Sequence, residues 1–284
     1  MDASPRAAAL IGPGRAGTTI SLALVERGWT FTAVAGRAPD AASTTAAAAA
    51  LSARTALVSE AARGVALVII ATPDRAIEQA VRTCEPGIEP GALVIHLAGS
   101  RGLDVYDEVR ARRPGVRFGA LHPLQSFPSV NVGLERLEGS WAAVAGDPEV
   151  CALAESIGLR PFDLADEARD RYHSAAVIAS NHVVALLGQV ERIAATCDVP
   201  FEAFAPLVRA SIENAFALGP VDALTGPVAR GDLATVERHL AGLDPAERDA
   251  YRALAREAAR LTGRRDTGLD RLFEDLKHAG QGDA

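Results

Sequence analysis

The feature that most constrains the fold of this chain is a glycine-rich turn close to its beginning. Residues 12–17 read GPGRAG, with the apolar run 7–11 before them and a helical pattern after them. This order is typical of the first βα unit of a dinucleotide-binding sheet, in which the glycines allow a tight turn, close approach of the backbone to a pyrophosphate, and close helix–strand packing. The alternative is a turn that binds nothing. The predicted cofactor contacts here are Gly12, Pro13, Gly14, Arg15, Ala16 and Gly17.

Short apolar strands alternate with alanine-rich helical stretches as far as about Asp166. Near-continuous apolar strands separated by helices indicate a parallel sheet that is covered on both faces. The pattern therefore predicts an α/β Rossmann domain over residues 1–166, doubly wound and mostly parallel. The predicted strands are 7–12, 30–37, 55–58, 65–73, 91–100, 116–123 and 140–147.

From about residue 167 the strand signals stop, and residues 167–284 are expected to form an all-helical domain. Residues 171–197 carry apolar side chains all around one long helix, which should therefore be buried on every side. Asp232 and Asp244 are expected to cap two later helices. A surrounded helix in so small a domain indicates burial by a partner subunit, so a homodimer is expected.

The end of the second predicted strand bears on the choice between NADP and NAD. Gly36 and Arg37 stand about twenty residues past the last motif glycine, where an Asp or Glu would hold the ribose hydroxyls of NAD. An arginine can instead pair with a 2′-phosphate, so NADP is favoured over NAD; the alternative is a solvated loop arginine. Thr72, Pro73 and Asp74 close the same crevice after the fourth strand, although the main role expected of Asp74 is to cap the next helix.

Two histidines end strands that face this crevice, His96 in VIHLAGS and His122 in ALHPLQSF. Histidine suits proton transfer beside a nicotinamide because its pKa lies near neutrality. His122 is the stronger candidate for a proton donor, and His96 is placed with the cofactor contacts. Ser100 is a candidate for the nicotinamide amide or the substrate. A structural histidine and a turn serine are the alternatives.

The helical part adds His173, Asn181 and Arg230 as candidates. On a regular α-helix Asn181 would share a stripe with Val177 and Ile178, with His173 beside it. The amide would either reach a substrate oxygen or hold neighbouring backbone. The fork of Arg230 suits a substrate carboxylate, and a surface ion pair is the alternative.

Composition excludes several other classes of protein. The formal net charge of −7 argues against a nucleic-acid partner, which needs a basic face. The longest apolar stretch, 175–190, is interrupted by polar residues and falls short of the roughly twenty needed to cross a bilayer. Three cysteines without a CxxC pair indicate a reducing cytoplasm, and no group of residues has metal-ligand spacing.

Taken in order, the segments GPGRAG, ATPD, HLAGS, HPLQSF, YHSAAVIASN and GPVARGD resemble a Rossmann-like oxidoreductase family with a C-terminal helical domain of unknown function. That second domain is similar to the C-terminal domain of 6-phosphogluconate dehydrogenase. The resemblance spans nearly the whole chain. It implies kinship with ketopantoate reductase, pyrroline-5-carboxylate reductase, prephenate dehydrogenase and deazaflavin-dependent NADP reductase.

The departures from these relatives narrow the chemistry. Ketopantoate reductase and the hydroxyacid dehydrogenases place a catalytic lysine four residues before an asparagine on the long helix. Here the matching asparagine is Asn181, Val177 stands four residues before it, and the only lysine is Lys277. Prephenate dehydrogenases use a histidine in an HP motif, which His122 and Pro123 resemble.

The resemblance implies an NADP-dependent oxidoreductase acting on a small molecule, expected to be a carboxylate. The leading hypothesis is reduction of a small keto acid similar to ketopantoate, with a histidine, His122 or His173, as proton donor. Arg230 would meet the substrate carboxylate. The alternatives are a dehydrogenase of prephenate or arogenate type and a non-catalytic NADP-sensing protein.

Overall fold

The structure is a computed structural model that describes residues 6–263. The chain divides into two compact units, 1–180 and 181–284. The first unit holds the sheet and the second is helical throughout its described residues. The domain boundary expected after Asp166 stays a prediction.

The first unit is built on an eight-stranded sheet. From one edge to the other the strands run β3-β2-β1-β4-β5-β6-β7-β8. All pairs among β1 to β6 are parallel, β7 is antiparallel to β6, and β8 is parallel to β7. This confirms the predicted Rossmann fold. The strands are β1 Ala7–Ile11, β2 Thr30–Ala35, β3 Arg54–Thr55, β4 Leu67–Ile70, β5 Leu93–His96, β6 Arg117–Pro123, β7 Trp141–Gly146 and β8 Arg160–Asp163.

The strand order places a topological switch point between β1 and β4. After β1 the chain adds strands on one side of the sheet, and from β4 onward it adds them on the other. Crossovers that leave in opposite directions open a crevice at the carboxyl ends of these two strands. Any ligand of this sheet is therefore expected at the ends of β1 and β4.

Helices cover both faces of the sheet, so each central strand is buried on both sides. Leu10 and Ile69 point into one apolar cluster, whereas Ile11 and Ile70, one residue further along, point into the other. The α-helices of this unit are α1 Arg15–Val25, α2 Ala42–Ala50, α3 Val58–Ala61, α4 Ile77–Cys84, α5 Asp107–Arg112, α6 Val130–Leu137, α7 Glu149–Ser156 and α8 Arg169–Val177.

Two details of the sheet differ from the sequence-based prediction. The third strand was expected at 55–58, but it contains only Arg54 and Thr55, and Val58 already begins α3. The eighth strand was not predicted because it is short, partly exposed and contains Pro161. Proline is tolerated there because β8 is the last strand at its edge of the sheet.

The helix predicted over 171–197 is present in three consecutive segments. These are α8, a π-helical turn over Ile178–His182, and α9 over Val183–Ala195. A π turn closes its hydrogen bonds one residue later than an α turn, so it changes the angular position of Asn181 and of the residues that follow. The stripe expected from regular α-helical spacing therefore does not hold across this turn.

The described residues do not bury this helix on every side, so the burial expected from a partner subunit stays a prediction. Ile178 is 57% exposed and Val184 is 69% exposed. His182 is exposed as well. The apolar residues of the helix pattern are present, but the residues that the structure describes do not cover them all.

The other helices of the second unit begin and end close to the predicted signals. Asp232 and Asp244 accept hydrogen bonds from backbone N–H groups of their helices, which confirms both caps. Gly219 ends α10 with a φ of 85°. These helices are α10 Ala205–Leu218, α11 Pro220–Ala223, α12 Pro227–Arg230, α13 Leu233–Gly242 and α14 Pro245–Leu261.

The second unit has a small apolar core. Its buried cluster consists of Val228, Val236, Leu240, Ala255 and Ala259, all from the last three helices. No residue of α10 is buried. Among the described helices there is none whose length and apolar character would let it span a membrane.

Candidate functional site

The glycine-rich turn has the close packing that its sequence predicts. Gly12 has a φ of 95°, and a Cβ there would lie 2.5 Å from the carbonyl carbon of Ala71. A Cβ on Gly17 would lie 2.6 Å from the Ala71 Cβ, whereas one on Gly14 would meet nothing within 4 Å. Gly12 and Gly17 therefore bring the turn and α1 against the end of β4, and Gly14 leaves its backbone open to a ligand.

A cavity of about 730 Å³ lies at the switch point. It is bounded by the ends of β1, β2 and β4 and by the first residues of the glycine turn. No side chain caps the N-terminus of α1, so its first N–H groups are available to an anion. Of the predicted contacts, the cavity is lined by Gly12, Pro13, Gly14, Gly36, Arg37, Thr72 and Pro73.

The far end of the cavity combines an arginine with a helix N-terminus. Arg37 lines it and is exposed, and no hydrogen bond or ion pair of this side chain occurs within residues 6–263. Ser43, also lining it, lies in the first turn of α2, whose N-cap Ala41 offers no side-chain oxygen. The guanidinium of Arg37, the hydroxyl of Ser43 and the N-terminus of α2 together form a site that suits a phosphate group. The sequence analysis missed Ser43, although a serine opening the helix after Gly36 and Arg37 was a usable signal.

Asp74 does not cap the helix that follows it, so this expectation is wrong. It lies inside a short 3₁₀ turn, Asp74–Ala76, and makes no capping hydrogen bond with its side chain. Instead its carboxylate accepts a hydrogen bond from the hydroxyl of Ser100. The two predicted site residues thus join the end of β4 to the loop that follows β5.

His96 is fully buried at the end of β5, and backbone groups occupy both of its ring nitrogens. Nδ1 accepts from the N–H of Ala98 at 3.2 Å, so Nε2 carries the proton and donates to the carbonyl of Gly102 at 3.2 Å. Burial lowers its pKa to about 4, and the charge of Arg169 acts in the same direction. These bonds hold the 97–102 loop and favour the structural role over the predicted cofactor contact.

His122 ends β6 and is paired with a tyrosine from α8. Its Nδ1 lies 2.8 Å from the hydroxyl of Tyr172. Burial lowers the pKa of His122 to about 4, with the neighbouring His173 and Arg169 acting in the same direction and Asp74 against it. Burial raises the pKa of Tyr172 to about 12, and Arg169 opposes this rise. At neutral pH the tyrosine is therefore protonated and the imidazole uncharged, and the tautomer of His122 sets which of the two donates.

His173, the second histidine candidate, packs beside this pair. Its ring centroid lies 5.9 Å from that of His122. Gly99 lies so close to both rings that no side chain fits there: a Cβ would lie 2.7 Å from His173 Cδ2 and 2.8 Å from His122 Nε2. The structure therefore brings together His122 and His173 around the loop that carries Ser100.

Tyr172 was not selected from the sequence, although it stands next to His173 in the YHSAAVIASN segment. Two more aromatic rings pack in sequence beside it. The ring centroid of Phe162 in β8 lies 5.8 Å from that of Tyr172, and the ring centroid of Trp141 lies 6.2 Å from that of Phe162. These contacts hold the tyrosine ring against the end of the sheet. The signal that could have found Tyr172 was its position directly before His173, which was selected.

Two candidates of the first unit, Arg15 and Ala16, lie outside this cluster. Arg15 donates to the carbonyl of Pro128 at 3.1 Å, and neither it nor Ala16 lines the cavity. Asn181 lies in the π turn, and Arg230 is exposed at the end of α12. Both belong to the second unit, and their roles stay predictions. Lys277 lies outside the described residues. Within the described part of the chain no group of three or more His, Cys, Asp or Glu residues could hold a metal ion.

Comparisons with protein families match two segments of the chain. Residues 7–99 match the family described as NADP oxidoreductase, coenzyme F420-dependent. Residues 140–258 match a domain of unknown function, DUF2520. The chain matches none of the curated proteins with which it was compared.

Solved structures share the fold over almost the entire chain. A candidate NADP oxidoreductase from Bacteroides fragilis is 25% identical with a TM-score of 0.76, covering 92% of this chain and 99% of that one. A protein from Thermotoga maritima is 22% identical, with a TM-score of 0.69 and coverage of 90% and 98%. An imine reductase from Streptomyces aurantiacus is 18% identical, with a TM-score of 0.64 and coverage of 94% and 99%. Together the matches identify the chain as an NADP-type oxidoreductase with a Rossmann-like N-terminal part and a C-terminal domain of unknown function.

Proposed function

We propose that this protein reduces a small carbonyl or imine compound with NADPH, and that the His122–Tyr172 pair supplies the proton. The observation that carries the proposal is the 2.8 Å hydrogen bond between His122 Nδ1 and the Tyr172 hydroxyl at the carboxyl end of the sheet. Ligands of doubly wound sheets bind at that end.

Contiguous contacts connect this pair to the cavity at the switch point. Thr72 and Pro73 line the cavity, and the next residue, Asp74, accepts from Ser100. Gly99, beside Ser100, packs directly against the ring of His122. The cofactor cavity and the proton-carrying pair are therefore parts of one end of the sheet.

The residues that would hold NADP are those around the cavity. The glycine turn and the N-terminus of α1 would take the pyrophosphate, and Arg37 with Ser43 would take the 2′-phosphate. The bound nicotinamide would supply the hydride. The cavity of about 730 Å³ lies within the usual range of ligand and cofactor sites.

The orientation of the hydrogen bond sets the path of the proton. In the tautomer in which Tyr172 donates to Nδ1, the neutral ring of His122 carries its own proton on Nε2, next to Gly99. That N–H can donate to the oxygen or nitrogen of a substrate double bond and polarise it. As hydride adds to carbon, the Nε2 proton passes to the substrate heteroatom, and the Tyr172 proton passes to Nδ1. A neutral imidazole and a tyrosinate remain, and solvent restores the tyrosine proton.

Two substrate classes follow for the reductive direction. A small keto acid is the leading class, and Arg230 would bind its carboxylate. Imines form the second class, since the solved structures of similar fold include imine reductases and a reductive aminase from Aspergillus terreus in complex with NADPH, cyclohexanone and allyl amine.

One observation favours a dehydrogenase of prephenate or arogenate type as the second candidate function. His122 is followed by Pro123, and burial lowers the pKa of this histidine to about 4, so it is uncharged at neutral pH. In this direction the relay runs in reverse: with Tyr172 ionised and the His122 proton on Nδ1, Nε2 is free to accept a proton from a hydroxyl as hydride leaves. Reduction of NADP in the presence of prephenate would distinguish this activity.

We further propose that the helical unit pairs with a second copy of the chain. Phe216 is 90% exposed and Leu207 is 65% exposed, both on α10, and Val184 of α9 is 69% exposed. Exposed apolar residues on consecutive helices mark an interaction surface. A second copy is the natural occupant because identical patches pair in two-fold dimers, the commonest oligomers. A location in the cytoplasm stays a prediction.

The cofactor part of the proposal is tested by thermal shift with NADPH and NADH. NADPH should raise the melting temperature more than NADH in the wild type, because a ligand that binds the native state stabilises it. Arg37→Asp should remove that difference, because a carboxylate repels the 2′-phosphate. Equal shifts with both nucleotides in the wild type would contradict the NADP preference, and no shift with either would favour a fold without a ligand.

The chemistry is tested with NADPH and a panel of keto acids and imines. Tyr172→Phe should lower kcat/KM by about 10²-fold, the scale of one proton-transfer contribution. The matched control is Tyr251→Phe, because Tyr251 makes the same kind of bond to His239 Nδ1, at 2.7 Å, within the helical unit. Unchanged activity in Tyr172→Phe and His122→Ala would remove the proposed relay. Tight NADPH binding without turnover on any compound would favour the NADP-sensing alternative.

A further inference from the structure

One buried charge near the site has no role in the steps above. Arg169, the first residue of α8, is 1% exposed. Its Nε donates to Asp166 at 2.9 Å, while Nη1 and Nη2 are buried and meet no acceptor within the described residues. A guanidinium normally satisfies its donors when it is buried, so this arrangement calls for a reason beyond folding.

The position of Arg169 on α8 places its charge beside the proton-carrying pair. Residues three and four apart share one face of an α-helix, so Arg169 lies on the face that carries Tyr172 and His173. Its charge acts on His122 and on Tyr172, in both cases lowering the pKa. One cation thus opposes a positive charge on the histidine and favours a negative charge on the tyrosine.

Asp166 holds the guanidinium, and Asp166 is itself fixed by residues at the end of the loop that carries Ser100. Asp166 accepts from Arg169 through one carboxylate oxygen and from the N–H of Leu103 through the other, at 2.7 Å. Gly102 packs so closely on Asp166 that a Cβ would lie 2.6 Å from its Cγ. The Gly102 carbonyl in turn accepts from His96. Arg169 therefore has little freedom to turn away from the pair.

We propose that Arg169 is the positioning cation of the His122–Tyr172 pair: its charge opposes protonation of His122 and stabilises the tyrosinate that forms when Tyr172 gives up its proton. The role of Arg169 in catalysis rests on the proposed reductase function, whereas its effect on the pair can be measured without any activity. The chain has a single lysine, Lys277, so a buried arginine supplies the positive charge. Arg169 need not touch the substrate to act in this way.

Several charged or titratable groups act on His122, and a titration must separate the effect of Arg169 from the effects of the others. From α8 they are Arg169, Tyr172 and His173, and from the turn after β4 the facing group is Asp74. Asp74 favours the protonated histidine, whereas Arg169 and His173 oppose it. Removing the Arg169 charge should therefore move His122 towards its ordinary pKa.

The test is an NMR titration of the histidine Cε1–H signals in the full chain without nucleotide, with His122 assigned by its loss in His122→Gln. Arg169→Met removes the charge and keeps a long side chain, and Arg169→Lys keeps the charge. We expect Arg169→Met to raise the pKa of His122 towards its ordinary value, because a nearby positive charge is removed, and Arg169→Lys to leave it near the wild-type value. The matched control is Arg171→Met, because Arg171 is exposed on the same helix.

Two outcomes would overturn the proposal. One is a folded Arg169→Met protein whose His122 titrates as in the wild type. The other needs no variant at all: a wild-type His122 that titrates at its ordinary pKa is not held neutral. Because these measurements use neither NADPH nor substrate, a protein that passes them but reduces nothing would contradict the proposed function and leave this inference standing.

A second readout follows the tyrosine. Tyrosinate absorbance during an alkaline titration, taken as the difference between each protein and its Tyr172→Phe counterpart, isolates one of the three tyrosines. Arg169→Met should shift ionisation of Tyr172 to higher pH, and Arg169→Lys should restore it. Equal curves for the two variants would assign Arg169 a structural role alone.

Discussion

The two units of this chain bury their apolar residues to very different degrees. The sheet unit has two extensive clusters, one on each face, and its central strands are fully buried. The helical unit has one cluster of five residues, while α10 buries none of its residues. The first unit contains its own driving force for folding, whereas the second carries apolar surface that the described chain leaves uncovered. The difference explains why we assign the dinucleotide to one unit and the subunit contact to the other.

The largest expected effect compares one leucine from each unit. Leu10 is 0% exposed in β1, and Leu207 is 65% exposed in α10. Leu10→Ala should lower the free energy of unfolding by about 2–5 kcal/mol, because it leaves a cavity in a closed core. Leu207→Ala should instead weaken dimerisation, so its melting temperature should fall most at low protein concentration.

Sedimentation velocity and thermal denaturation at several protein concentrations check this comparison. A wild-type protein that sediments as a monomer at every concentration would contradict the proposed pairing. An effect of Leu207→Ala that does not depend on concentration would show that α10 is covered within a single chain.

The second prediction concerns acid sensitivity, which should be concentrated in the sheet unit. The pKa of His96 is lowered by burial to about 4, below the value of 6.5 expected in the unfolded chain. Between these values the unfolded chain binds a proton that the native protein does not, so stability is lost as pH falls from 6.5 towards 4. The loss for this one group is on the order of 3 kcal/mol.

Denaturant unfolding at about pH 7 and about pH 5 measures the part of this loss that falls above pH 5, since the rest is lost only as pH falls further towards 4. His96→Asn should weaken the pH dependence, although it also lowers stability at neutral pH by disturbing the bonds to Ala98 and Gly102. His239→Asn, at an exposed position of α13, is the matched control from the helical unit. An identical acid response in wild type and His96→Asn would place the sensitivity elsewhere.

The smallest expected effect compares one helix cap from each unit. Asp232 accepts from the N–H of Thr235 at 3.1 Å and from its hydroxyl at 2.7 Å, whereas Ser129 accepts only from the N–H of Val132, at 3.3 Å. Replacement of Ser129 by Ala should cost about 1 kcal/mol, and replacement of Asp232 should cost more, because the Asp232 charge also favours the helix N-terminus. Paired denaturation curves test the order; a larger loss in Ser129→Ala would contradict it.

Much of the fold could be predicted because its signals are local. The glycine turn, the apolar runs of the parallel strands and the caps Asp232 and Asp244 each depend on a few adjacent residues, and the structure has them where they were expected. The edge strand β8 was missed because a short strand with Pro161 carries almost no local signal. The π turn over Ile178–His182 was missed because an apolar run reads as a regular helix.

The candidate site divides in the same way. The sequence by itself determined the dinucleotide turn, Arg37 at the end of β2, and two histidines at strand ends, since these are properties of single segments. Three features depend on the fold as a whole: Tyr172 pairs with His122 across fifty positions of sequence, Asp74 binds Ser100 rather than a helix end, and Arg169 is buried at the start of α8. The physical reason is that hydrogen-bond partners and burial depend on which segments the fold brings together, and no local pattern encodes that choice.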